Sequence, residues 1–179
     1  MAGKNIAEPC VQWQVLQGMS IASVRRMAGD RDVLEILKNL GMRWPESTGN
    51  ARGDDPVVLW KRPSEALVVS KQAGRTGELV ALLEAGRSPS GIALDVSEQI
   101  TVLEVRGPAL NEWLAQVVDT YSLPQRGGVT NARLAEIHVL IFRPEDERVW
   151  ILVERTLVSY LDAWLCHTRD VAFSVGVVQ

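Results

Sequence analysis

The side chains in this sequence that could carry proton-transfer, nucleophilic or metal chemistry are few: two histidines, two cysteines and a handful of clustered carboxylates. Asp95-Val96-Ser97 sets a carboxylate and a hydroxyl two residues apart, on one side of the chain if the segment is extended. The same spacing also builds an Asx-type turn at the end of a strand, and local context favours that reading. His138 sits inside an apolar run and His167 follows the last helical stripe. Imidazole titrates near neutrality, but both places suit a packed or edge histidine. Cys166 adjoins Leu165 and reads as a small packing residue. Cys10 and Cys166 stand at opposite ends, with no Cys-x-x-Cys and no histidine pair nearby. That argues against a redox motif or a zinc site built by this chain alone. Asp54-Asp55 and Glu145-Asp146-Glu147 could supply a general base or a cation site, yet each falls in a turn-rich stretch beside a proline, where carboxylates are simply solvated. Residues 86–91 have the glycine spacing of a phosphate loop, but Ile92 and Ala93 stand where Lys and Ser or Thr are required. Neither a dinucleotide fingerprint nor a serine elbow occurs.

Six tryptophans offer a different kind of chemistry, that of contact. Trp60, Trp113, Trp150 and Trp164 fall within periodic segments and are expected in the core. Trp13 and Trp44 fall outside them. Tryptophan is enriched at interface hot spots, so these two are the candidates for docking onto another chain, with packing inside this chain as the alternative.

The elements that must position these groups follow from periodicity. Residues 20–27 read as a strand. A helix follows with Val33, Leu34, Leu37 and Leu40 on one face, ended by Gly41. Residues 43–55 are turn-rich and read as a loop. Apolar runs at 57–60 and 66–70 flank Lys61-Arg62-Pro63-Ser64-Glu65 as a hairpin, and Leu79, Val80, Leu82 and Leu83 mark a second helix closed by Gly86. The second half repeats the plan. Strands are expected at 92–96 and 100–105, and Gly107-Pro108 opens a helix striped by Leu110, Trp113, Leu114, Val117 and Val118. Residues 121–131 read as a loop. A hairpin follows from runs at 137–142 and 149–153, and then a helix carrying Leu157, Tyr160, Leu161, Trp164 and Leu165, with Thr156 as its N-cap.

Pro63 and Pro144 are separated by 81 residues, and Gly29 and Gly107 by 78. A shared offset near these values points to two pseudo-repeated βαββα halves, at about 20–90 and 92–170. The expectation is one α+β domain over residues 20–179, preceded by an N-terminal arm at 1–19. Its 179 residues, 46% apolar and 23% charged, suffice for a substantial core. With 19 basic and 22 acidic residues the chain has no basic surplus, which excludes a nucleic-acid binder dominated by phosphate contacts. No apolar run is long enough to span a membrane, and residues 1–13 lack the run of a signal peptide, so a cytoplasmic location is expected.

Residues 94–97 (Leu-Asp-Val-Ser) followed by 101–109 (Thr-Val-Leu-Glu-Val-Arg-Gly-Pro-Ala) resemble the core of the aminomethyltransferase-like folate-binding fold. With residues 59–69, 132–140, 150–153 and 161–165 in order, the stretch from Val57 to Leu165 resembles the gamma-subunit family of heterotetrameric sarcosine oxidases. The resemblance implies a non-catalytic structural or assembly subunit, with no catalytic, cofactor-binding or metal residue of its own. Its partners would be alpha, beta and delta subunits, mainly alpha. FAD, FMN, NAD, tetrahydrofolate and zinc would be held elsewhere in the complex: flavin on beta, NAD and the tetrahydrofolate site on alpha, zinc on delta. The parent reaction would be oxidative demethylation of sarcosine or a related N-methyl amino acid. A competing expectation, resting on Asp95-Val96-Ser97 and the same fold, is a stand-alone folate-binding or aminomethyltransferase-like protein.

Overall fold

The structure, a computed structural model, describes residues 11–27, 29–86 and 91–174. Its strands are β1 (Gln12–Leu16), β2 (Ser20–Arg26), β3 (Ala51–Arg52), β4 (Val57–Arg62), β5 (Glu65–Ser70), β6 (Gly91–Asp95), β7 (Ile100–Arg106), β8 (Val129–Leu134), β9 (Ile137–Glu145) and β10 (Arg148–Glu154). The helices are α1 (Asp32–Asn39), α2 (Gly77–Glu84), α3 (Leu110–Val117) and α4 (Val158–Ser174), with short 3-10 turns at Thr120–Ser122 and Arg155–Leu157. The strands form two five-stranded antiparallel sheets, ordered β3-β4-β5-β2-β6 and β1-β7-β10-β9-β8.

Each sheet takes one edge strand from the other half of the chain. β1 crosses to pair with β7, from Gln12 against Arg106 to Leu16 against Val102, and β6 returns to pair with β2, from Gly91 against Arg26 to Asp95 against Ala22. The N-terminal arm expected through residue 19 is therefore an integral edge strand from Gln12 onward. Its five residues alternate too briefly to announce a strand, and the backbone partners that hold them lie about ninety positions away in sequence. Two further strands fall where loops were expected: β3, only two residues long, and the first residues of β8. The order β-β-α-β-β-β-α runs from β1 to α2 and again from β6 to α4, so the expected plan lacked the leading strand β1 in the first half, its counterpart β6 having been expected at 92–96, and a third strand, β3 or β8, in each half.

The layers run helix, sheet, sheet, helix. Ala22, Val24, Val58, Ala66, Val68 and Ala93 point outward from the first sheet onto Val33 and Leu37 of α1 and Leu79 and Leu83 of α2. Leu103, Val105, Ile141, Val149 and Ile151 do the same for Leu110, Trp113 and Leu114 of α3 and Leu161 and Leu165 of α4. The opposite side chains, among them Ile21, Leu59, Leu67, Val102, Leu140, Phe142, Trp150 and Leu152, meet between the sheets. Side chains alternate across a strand, so burial on both faces requires the unbroken apolar runs seen in β4, β5 and β10.

Helix ends follow local chemistry. Asp30, itself buried, accepts from the backbone N–H groups of Asp32 (2.9 Å) and Val33 (3.3 Å) and so caps α1. Gly41 follows the helix at φ +75°. Val118 leaves α3 in an extended conformation yet stays buried. Thr156, expected to cap the last helix, lies inside the 3-10 turn that leads into it. Tyr160 is half exposed rather than part of the buried stripe, and its hydroxyl donates to the Ala135 carbonyl (3.1 Å).

That carbonyl belongs to the two-residue turn joining β8 to β9, where Ala135 (φ +50°) and Glu136 (φ +67°) both occupy the left-handed region. This is the backbone of a type I′ hairpin, which prefers Asn-Gly. A side chain there costs about 1–2 kcal/mol. Replacing Ala135→Asn together with Glu136→Gly should raise stability by roughly 1 kcal/mol net of the lost Arg133–Glu136 pair, read as a higher urea midpoint at unchanged slope.

Candidate functional site

Asp95 and Ser97 are brought together, and the Asx-type turn is what they build. One Asp95 oxygen accepts from both the Ser97 backbone N–H (2.9 Å) and its hydroxyl (2.6 Å). The Ser97 hydroxyl oxygen accepts in turn from the Ile21 N–H (2.9 Å), while Val96 N–H donates to the Ile21 carbonyl (2.9 Å). Arg155 closes the other side, donating to the Ser97 carbonyl (3.3 Å) and pairing with Glu98 (3.3 Å). Carboxylate and hydroxyl are thus committed to turning the chain from β6 in one sheet to β7 in the other. The function of this pair is to hold the crossover.

Two carboxylates that the sequence did not single out are buried between the sheets. Glu65, at the start of β5, bonds Lys61 Nζ (2.7 Å) and the Ser23 hydroxyl (3.1 Å), with Arg25 at 3.6 Å. Burial pushes its pKa up, but the Lys61 bond and charge, the Ser23 bond and the Arg25 charge outweigh it and hold the group below its ordinary value of 4.5. Glu104, on β7, accepts from Gln14 Nε2 (3.2 Å), Trp150 Nε1 (3.3 Å) and Arg148 (3.5 Å). Trp150 stands edge-on to Phe142, with ring centroids 5.6 Å apart, and Lys71 Nζ lies 5.4 Å from its ring. Each acid meets a full set of donors. For Glu104 the available signal was a Glu inside an otherwise apolar run, since a carboxylate buried there must be paired, whereas Glu65 stood at the end of the expected hairpin turn and gave no such signal.

The tryptophans sort differently from expectation. Trp44 is buried in the first-sheet core, with the Arg26 guanidinium 4.8 Å from its ring. Packing within this chain accounts for it, which corrects its candidacy as a docking residue: the loop around it folds back onto α1 instead of standing free. Trp13 is half-buried on β1. Its indole N–H donates to Asp162 of α4 (2.8 Å), and Arg169 lies 5.0 Å above the ring. Trp113 and Trp150 are core, whereas Trp60 and Trp164 are only half-buried.

His138 and His167 are exposed, on β9 and α4, and Cys166 is half-buried. Cys10 and residues 87–90 of the glycine loop lie outside the described residues. Asp55 accepts from the Lys71 N–H (3.0 Å), Glu145 pairs with Arg148, and Asp146 faces Arg126 at 3.6 Å. Among the described residues no group of three or more His, Cys, Asp or Glu side chains could hold a metal, and no helix is long and apolar enough to cross a membrane. An open cavity of about 350 Å³ lies where the sheet margins meet, lined by Gly49, Asn50, Pro124, Arg126, Gly128 and Thr130. There Asn50 bridges Gly128, and Val129 N–H donates to the Gly49 carbonyl (2.8 Å). These walls offer mainly backbone groups and one arginine, with no acid, base and nucleophile converging.

One chain of a sarcosine oxidase has this fold. The heterotetrameric sarcosine oxidase from Corynebacterium sp. U-96, in complex with pyrrole 2-carboxylate, superposes with a TM-score of 0.80 at 22% identity, over 91% of this chain and 85% of that one. The glycine cleavage system aminomethyltransferase T from Bartonella henselae superposes at 0.59 and 12% identity, over 87% of this chain but 45% of its own. The mixed α/β fold of two antiparallel sheets is consistent with the folate-binding-like fold that the resemblance implied. No protein-family model and no curated protein sequence matches this chain.

The lowered pKa of Glu65 has a signed consequence. Its stabilisation is fully present above the unfolded value and is lost as pH falls through the lower folded one. Glu65→Gln should cost about 1–3 kcal/mol at neutral pH, because charge-assisted bonds to Lys61 and Ser23 are weakened. The difference from wild type should shrink as pH drops below 4.5. Urea unfolding at a series of pH values measures it, and a difference independent of pH would contradict the assignment.

Proposed function

We propose that this chain is a structural, non-catalytic subunit of a sarcosine oxidase-like flavoenzyme complex, in the place of the gamma subunit. The observation that carries the reading is the superposition on one chain of the heterotetrameric enzyme, which takes in nearly the whole of both chains. The aminomethyltransferase match, by contrast, leaves more than half of that longer chain without a counterpart. The chemistry of this chain supports the same reading. Asp95 and Ser97 are engaged in their own turn, and Glu65 and Glu104 are neutralised where they are buried. Flavin, NAD, tetrahydrofolate and zinc would then belong to partner subunits, with the alpha subunit as the main neighbour. The complex would oxidise sarcosine or a related N-methyl amino acid.

Coexpression with the flavin-carrying and NAD-carrying subunits of the same genome tests this. The chain should copurify with them through size exclusion at constant stoichiometry and carry no flavin absorbance when purified alone. If it elutes as a monomer apart from the flavoprotein, the reading falls. Calorimetry of the isolated chain with millimolar tetrahydrofolate should show no saturable heat, and saturable heat would favour a stand-alone folate-binding protein instead.

A further inference from the structure

We propose that residues 123–128 form a strap that closes the seam between the two sheets, and that the Arg143 side chain is its clasp. Released from the clasp, the strap lifts from the seam while both sheets stay folded. The inference is drawn from this chain alone and is independent of the subunit reading.

The seam lies where the margins of the sheets meet, with β8 beside β4. Val129 N–H donates to the Gly49 carbonyl (2.8 Å), Asn50 and Gly128 form an antiparallel bridge, and Asn131 Nδ2 donates to the Lys61 carbonyl (2.9 Å). The strap runs straight into this junction at Gly128. It turns sharply to do so: Gly128 N–H donates to the Gln125 carbonyl (2.8 Å), Gly127 sits at φ +74°, and a Cβ on Gly128 would lie 2.9 Å from the Gln125 carbonyl oxygen. Backbone conformation at the one position and close approach at the other both call for glycine.

Little apolar packing holds the strap. Half-buried Leu123 and buried Pro124 are its packed end, whereas Gln125, Arg126 and Gly127 are exposed. The open cavity of about 350 Å³ is walled by the strap together with Gly49 and Asn50. Segments with few buried apolar contacts and exposed backbone open at low free energy, so the strap depends on its polar ties. Gly127 N–H donates to the Arg143 carbonyl (2.7 Å), Arg143 N–H to the Gly128 carbonyl (3.0 Å), and Arg143 Nη1 to the Pro124 carbonyl (3.5 Å). Arg126 approaches Asp146 only to 3.6 Å, with both side chains 68% exposed, and such a surface pair contributes little.

The Arg143 guanidinium suits this role because other elements hold it in place. Nη2 donates to Asn111 Oδ1 on α3 (2.7 Å) and to the Asp146 carbonyl (2.6 Å), and Nε donates to the Glu145 carbonyl (3.4 Å) at the end of β9. One planar side chain thus joins α3, the turn between β9 and β10, and the strap. It does so with a fork of donors whose fixed geometry a lysine ammonium does not reproduce.

Site-resolved amide hydrogen exchange on the full chain tests the clasp. In the wild type the amides of Gly127, Gly128 and Val129 should exchange as a group, ahead of those in β5 and β10. Arg143→Lys should speed that group by about tenfold or more through the loss of charge-assisted bonds, and leave the amides of β2 and β5 within about twofold. Asn111→Ala removes only the anchor on α3 and should speed the same group by about threefold. Arg126→Ala should leave it within about twofold. Unchanged exchange of the group in Arg143→Lys, an acceleration spread evenly over both sheets, or an effect of Arg126→Ala as large as that of Arg143→Lys would overturn the proposal. If circular dichroism shows that Arg143→Lys does not fold, Asn111→Ala decides: acceleration confined to the group supports the clasp, and its absence overturns it.

Discussion

The shared layer between the sheets imposes the constraint from which most of the structure follows. Strands such as β4, β5 and β10 bury side chains on both faces, one toward the helices and one toward the opposing sheet. Neither sheet is complete without an edge strand from the other half of the chain, and neither can expose its inner face to water. The two halves therefore stand or fall together: separating them would strip apolar surface from every strand in the layer and break the pairing of β1 with β7 and of β6 with β2 at once.

That constraint explains the fate of the polar residues. Glu65 and Glu104 lie on the inner face near its open end, where a charge is tolerated only with donors already in place, and each has several. Polar pairing also appears at related points of the two ladders. Ser23 and Glu65 face one another diagonally between β2 and β5, and Glu104 and Arg148 do so between β7 and β10. The Asp95-Val96-Ser97 turn serves the same layer from its other end, by fixing where the chain leaves one sheet for the other. Asp95, Ser97, Glu65 and Glu104 are thus absorbed by architecture.

Local periodicity made much of the fold legible. The α1 and α3 stripes, the hairpin runs and the Gly-Pro start of α3 are all recoverable from residues a few positions apart, because helix faces and strand alternation are short-range patterns. The Asx turn was legible for the same reason. What local pattern missed was long-range: β1 as an edge strand, the two-residue β3, and the reversal of Trp44 and Trp60. Trp44 sits in a turn-rich stretch and is buried, whereas Trp60 sits in a strand and is half exposed. Burial is decided by what packs above a residue, and a segment's own composition does not contain that information.

By itself, the sequence determined the α+β class, the order of most strands and helices, the lack of a familiar catalytic or phosphate-binding motif, and a resemblance strong enough to name a fold. Backbone propensity and apolar spacing carry those properties along the chain. Tertiary structure alone decided the exchange of β1 and β6 between sheets, the meeting of buried Glu65 and Glu104 with their hydrogen-bond donors, and the exposure of Ile92 and Leu94 beside Arg25. Each depends on groups far apart in sequence meeting in space, and hydrogen bonds, desolvation and edge exposure are set only at that meeting.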